Sequence, residues 1–166
     1  MDVLSDPETL RGAAGVASSE ETVVDDADAL DYFDSIAGMV AIGARSDDAV
    51  LLMESPHGWR LPYTTVAPDD DWVVTAERFA AALTGDAPAV AGIERVARIT
   101  HHDEDGDRVT TTHDVVVGTD PVDGRPVAEA PAFGPWDEMT VAWFESVPDD
   151  AYWDHEDAVA DVRRFL

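Results

Sequence analysis

The chain contains no cysteine, and every one of its 10 basic residues is arginine. Without cysteine there is no disulfide, no thiolate nucleophile and no Cys-based zinc site. No apolar run approaches the roughly 20 residues needed to span a bilayer as a helix. The opening Met-Asp-Val-Leu-Ser-Asp-Pro-Glu lacks the basic and apolar regions of a signal peptide. A cytoplasmic chain with no membrane attachment is the expectation. There is also no Walker loop, dinucleotide fingerprint or G-x-S-x-G elbow.

What is abundant is negative charge. There are 36 acidic residues against 10 basic, a net charge of −26. Phosphate contacts require a basic patch, so nucleic acid is excluded as a partner. The acids are spread along the whole chain rather than gathered in a tail. Such a surface repels itself at low salt, and at molar salt a Debye length of about 3 Å screens the repulsion. Loss of lysine with gain of aspartate is similar to the halophilic habit of proteins working in a molar-salt cytoplasm.

A length of 166 residues with 45% hydrophobic content indicates one domain with a sizeable core. Residues 1–35 read as an N-terminal extension with a short helix, and residues 36–166 as the compact domain. In the extension, 21–24 suits a short strand and 26–35 a helix anchored by Leu30, Tyr32 and Phe33. In the domain, the apolar stretch 38–44 reads as a buried strand, with 49–54 pairing back on it through the turn at Ser46-Asp-Asp. Segments 92–102 and 108–117 form a hairpin about Asp103–Asp107, which sets His101 opposite Thr110 and His113 opposite Arg98. The histidines are then not neighbours, and a zinc site is not expected. A Pro/Gly/Ala loop over 121–135, a strand over 139–145 and an amphipathic helix over 154–165 complete the chain. Mixed strands and helices in this order indicate an α/β fold.

The stretch Gly58–Gly85 has the length and punctuation of a phosphate-chemistry motif. Gly58, Trp59, Leu61 and Pro62 open it, Val66 and Pro68 follow, and Arg78 and Gly85 fall in register near its end. It resembles the Nudix box, G-x5-E-x7-R-E-U-x-E-E-x-G-U, where U is a bulky apolar residue. The resemblance covers about residues 36–166 and implies a Nudix-like α/β/α sandwich with a mixed sheet. In that family a helix carries carboxylates that hold Mg²⁺, which polarises a diphosphate and activates water. Here the box is degenerate. Asp70 replaces the first Glu, and the three core carboxylates are replaced by Phe79, Ala82 and Leu83, none of which ligates a hard cation.

The resemblance therefore implies a fold whose metal-dependent hydrolysis has been lost. What remains is a module that binds a small molecule or a protein, or a subunit that pairs with its own copies through the apolar face. No cofactor is expected. The alternative is a divergent hydrolase of nucleoside diphosphate derivatives that holds Mg²⁺ through acids outside the box, with Asp137 or Glu138 as contributors. Phe79, Ala82 and Leu83, with Trp59 and Tyr63, are the candidate ligand-binding residues. The same helix face reads equally as ordinary core. Asp70 and Arg78 are the candidate structural pair holding the loop to the helix. Glu77 lies off the metal face.

The charge alone generates one test. The melting temperature should rise as KCl increases from about 0.1 M to about 2 M, because screening relieves the surface repulsion. A melting temperature indifferent to KCl would contradict this.

Overall fold

The computed structural model describes residues 3–166. After a short 3-10 turn at Pro7–Leu10 come strand β1 (Ala17–Val24), helix α1 (Ala27–Asp34), and strands β2 (Gly38–Gly43), β3 (Arg45–Ser46), β4 (Ala49–Ser55), β5 (Gly58–Arg60) and β6 (Tyr63–Val66). Helix α2 (Trp72–Thr84), strands β7 (Val90–His102), β8 (Val109–Thr119) and β9 (Val141–Phe144), and helix α3 (Glu156–Arg163) follow.

Two sheets form the middle layer. The larger runs β1-β7-β8-β2-β6 and is mixed, with β1·β7 and β2·β8 parallel and β7·β8 and β2·β6 antiparallel. In the smaller sheet β4 is flanked by β9 on one side and by β3 and β5 on the other. Strand periodicity of two decides which helix each side chain meets. Val40, Ile42, Val96, Val115 and Val117, with Leu51 and Met53 of β4, point into one core against α2. Val116, with Val50 and Leu52, points the opposite way, toward Val162 and Phe165 of the C-terminal segment. Helices α2 and α3 thus cover opposite faces, which makes the architecture an α/β/α sandwich.

Helix α2 begins and ends for identifiable reasons. Asp71 is its N-cap, with Oδ1 accepting from the Val74 N–H at 3.0 Å. Gly85 closes it in the left-handed region at φ 79°, its N–H reaching Ala81 O at 2.9 Å, a conformation that suits a residue without Cβ. Between the caps, Trp72, Val73, Ala76, Phe79, Ala80 and Leu83 repeat at three- and four-residue spacing and are buried.

Residues 3–35 are integral to this body. Leu4 is part of the main core, its N–H donates to Asp71 Oδ2 at 2.7 Å, and β1 is the edge strand of the large sheet. Glu8 ties the 3-10 turn to that sheet, accepting from His113 Nε2 at 2.7 Å, Arg11 at 2.7 Å and Arg98 at 3.2 Å. The His113 bond, reinforced by the two arginines, holds the Glu8 carboxyl down to about 2.

Three sequence expectations need correction. The strand at 49–54 does not pair back on 38–44: only Arg45–Ser46 forms that hairpin, and β2 and β4 lie in different sheets. The strands diverge because β2 takes β8 and β6 as partners while β4 takes β9. Strand β6 was not foreseen inside the box loop. The Asp70–Arg78 pair does not form either: both residues are exposed, and among the described residues neither side chain has a hydrogen bond or ion pair. The adjacent Asp71 does the work expected of Asp70, because it is the residue three positions before the Val74 N–H.

Asp71→Ala should therefore cost about 1–2 kcal/mol by loss of the cap, with further loosening at the N-terminus through Leu4. Arg78→Ala should change stability by less than about 0.5 kcal/mol. Denaturant melts in molar KCl check both, and the reverse ranking would contradict the assignment.

Candidate functional site

The box helix turns its would-be metal face into protein. Phe79 and Leu83 have 0% exposure, and only Ala82 keeps partial access to solvent. The cover is the Pro/Gly/Ala loop, which lies along α2 and β6 as a strap. Ala128 N–H donates to Leu83 O at 2.8 Å. The Phe133 ring packs on Phe79 with centroids 5.3 Å apart, and the Trp136 indole N–H donates to Tyr63 O at 2.8 Å. Phe133 and Trp136 exchange two backbone bonds, and Met139 N–H closes the strap on Pro131 O at 2.9 Å. Phe79 and Leu83 are thus core residues rather than walls of an open cleft: large apolar side chains leave water once a second apolar layer is available.

The other candidates scatter. Trp59 is half-buried beside the smaller core, edge-on to Phe144, and belongs to the α3 side. Tyr63 is half-buried, with Trp136 across its edge and the Arg60 guanidinium 4.3 Å above its ring. Glu77 has a structural task, its Oε2 accepting from Val90 N–H at 2.9 Å. The hairpin register is as expected, with His101 opposite Thr110 and His113 opposite Arg98. Magnesium does not fit the box: positions 79, 82 and 83 offer it no oxygen, and two of them are sealed in hydrocarbon.

The open concavity lies on the opposite face of the large sheet. Sheet register sets Ser19, Ala97, Asp114 and Met39 side by side in one row, with Glu21, Ile99 and Thr112 in the next row on the same face. Helix α1 with Phe33 and Ile36 covers one end of this surface, and α3 with Asp161 covers the other. Between them a groove remains, composed of three adjoining hollows that all include Asp114. The small side chains of Ser19 and Ala97 leave room beside the carboxyl. The largely apolar hollow next to α1 measures about 250 Å³.

The polar groups around the groove differ in what they have left to offer. Asp25 Oδ2 accepts from His101 Nδ1 at 2.8 Å, and His101 Nε2 pairs with the Thr112 hydroxyl at 2.9 Å. His101 is buried and stacked on Phe33 at 3.9 Å, so its orientation is fixed. Arg95 is held by Asp161 in a two-bond pair at 2.8 and 3.0 Å. Asp114 has no hydrogen-bond partner among the described residues. Burial pushes its carboxyl above the usual carboxylate range, despite the pull of Arg95 and Arg60. An unpaired, desolvated carboxyl facing a cavity is a common mark of a binding site.

Sequence reading missed Asp114. The available signal was a charged residue directly preceding Val115-Val-Val117, the buried centre of a strand. Among the described residues no helix is long and apolar enough to cross a membrane, and no group of three or more His, Asp or Glu is placed to hold a metal.

No protein-family model matches the chain, and no curated protein matches it in sequence. Among solved structures it is similar to a pyrophosphohydrolase of Bacillus subtilis, at 18% identity over 76% of this chain and 71% of that chain, with a TM-score of 0.41. It is similar to the ORF135 protein of E. coli, at 16% identity over 66% and 75%, with a TM-score of 0.42. It is also similar to a Nudix hydrolase from Nitrosomonas europaea, at 14% identity over 79% and 70%, with a TM-score of 0.47.

Proposed function

We propose that this chain is a binding module on a Nudix-like scaffold that has lost metal-dependent diphosphate hydrolysis. The observation that carries the reading is the burial of Phe79 and Leu83 beneath Phe133. In metal-assisted hydrolysis carboxylates hold the ion that acts as Lewis acid and activates water, and this face supplies hydrocarbon instead. The strap adds a steric reason, since substrate phosphates have no access to Phe79 or Leu83. The binding surface moves to the Asp114 groove, where a cavity, an unpaired carboxyl and apolar walls coincide. A small molecule suits that cavity better than a protein segment, because helices cover both of its ends. The reading needs no metal.

One arrangement favours the alternative hydrolase. Glu54 and Glu138 line a common cavity of about 360 Å³ with Ser55, Thr140 and Trp136. Two carboxylates fall short of the several oxygen ligands that Mg²⁺ assembles, and substrate phosphates would have to supply the rest.

The test is a broad panel of nucleoside diphosphate derivatives in molar KCl with Mg²⁺ or Mn²⁺. No metal-dependent turnover above background is expected. Turnover that disappears in Glu54→Gln or Glu138→Gln would overturn the binding-module reading and establish a hydrolase with its metal outside the box.

A further inference from the structure

We propose that the hollow beside α1 is a site for a small organic cation, an ammonium or guanidinium carried on an apolar body. The inference rests on the binding-module reading and specifies its ligand.

The walls and the polar groups of the hollow point the same way. Val23, Phe33, Ile36, Met39 and Ile99 supply apolar surface, and the ionisable lining consists of Glu21, Asp25, Asp114 and His101. Asp25 and His101 satisfy each other, and the second imidazole nitrogen is taken by Thr112. The groups left without a hydrogen-bond partner are Glu21, near the rim on exposed β1, and Asp114, at the base. Both are carboxyls that accept when ionised. No described arginine makes a hydrogen bond to either carboxyl. Arg95 is committed to Asp161, and Arg60, stacked over Tyr63, lies in the smaller hollow on the far side of Asp114. The site is placed to accept from a positively charged donor, and among the described residues none hydrogen-bonds to Asp114 or Glu21.

The same features exclude other ligand classes. An anion would face three carboxyls. A hard inorganic cation prefers a shell of oxygens, whereas these walls are mostly hydrocarbon. A nucleotide exceeds about 250 Å³ and brings phosphates of the wrong sign. A compact amine uses everything present: its body is buried against Phe33, Met39 and Ile99, and its head offsets the desolvation of Asp114. Because Asp114 lies below the surface, molar salt screens the contact less than it screens surface pairs.

The probe is benzylammonium chloride, titrated by calorimetry and NMR in about 2 M KCl at about pH 8, where the ammonium of the probe stays protonated. Benzyl alcohol and benzoate serve as neutral and anionic matches of the same body. Saturable benzylammonium binding is expected, with shifts at the amides of Met39, Ile99 and Asp114. Asp114→Asn should weaken it about tenfold or more, as loss of a buried charge contact does. The exposed Glu21→Gln, which cannot disturb the core, should weaken it by a smaller factor. Equal affinity for benzyl alcohol, indifference to both variants, or no saturation by benzylammonium would overturn the proposal. Pocket shifts with the alcohol or benzoate alone would remove the cation while leaving the binding module standing. Metal-dependent turnover in the diphosphate panel would remove that module instead, so the two failures are distinguishable.

Discussion

The contact between Phe79 and Phe133 organises the α2 side of this molecule. Phe79 occupies the centre of the box helix, fully buried, and Phe133 arrives from a loop more than fifty positions later in the chain. Truncating a core aromatic of this kind costs about 3–5 kcal/mol, a large share of the roughly 5–15 kcal/mol that holds a typical domain together. The strap has no regular secondary structure to hold it. Its position follows from that ring, from the Trp136 bond to Tyr63 O and from the Ala128 bond to Leu83 O. A glutamate at 79 would place a charge where a ring now sits, and the same substitution would lift the strap from β6. The apolar face of α2 and the strap that covers it are therefore one structural unit.

The opposite face of the large sheet carries the Asp114 groove. The parity of β8 sends Val115 and Val117 into the core under α2 and turns Asp114 and Val116 the other way. Asp114 is partly buried, without a hydrogen-bond partner, and central to a groove in which Asp25, His101, Arg95 and Asp161 are already paired. The contrast with Asp161 is instructive. Both carboxyls lie on the α3 side of the sheet, yet Asp161 receives two bonds from Arg95 and one from Arg164. Asp161 is a structural tie between β7 and α3. Asp114 ties nothing, and the pull of Arg95 and Arg60 offsets its desolvation only in part.

Local signals were legible in the sequence to the extent that they are decided locally. The limits of α2 follow from an aspartate cap, a period of 3.6 and Gly85, and the hairpin register follows from one turn centred on Asp105-Gly106. The choice among Asp69, Asp70 and Asp71 as the cap was not legible, because it depends on which side chain reaches the Val74 N–H. Strand partnership was not legible either. β2 and β4 are adjacent apolar strands that read as a hairpin, but their pairing is settled by β8 and β9, far along the chain. The box resemblance pointed to the right helix and the wrong cavity. Whether an apolar helix face is cleft or core depends on what covers it, and the cover is a loop whose composition carries no address.

The most direct test restores the missing acids. A double variant, Phe79→Glu with Leu83→Glu, places two carboxylates on the covered face of α2. Its thermal unfolding in molar KCl, with and without Mg²⁺, separates the two accounts of the helix face. If the face is core beneath the strap, two buried charges have no partners, and the variant loses its cooperative transition whether or not Mg²⁺ is present. A variant that melts cooperatively, at a temperature that Mg²⁺ raises, would mean that the face opens readily to solvent and metal, and would contradict the account.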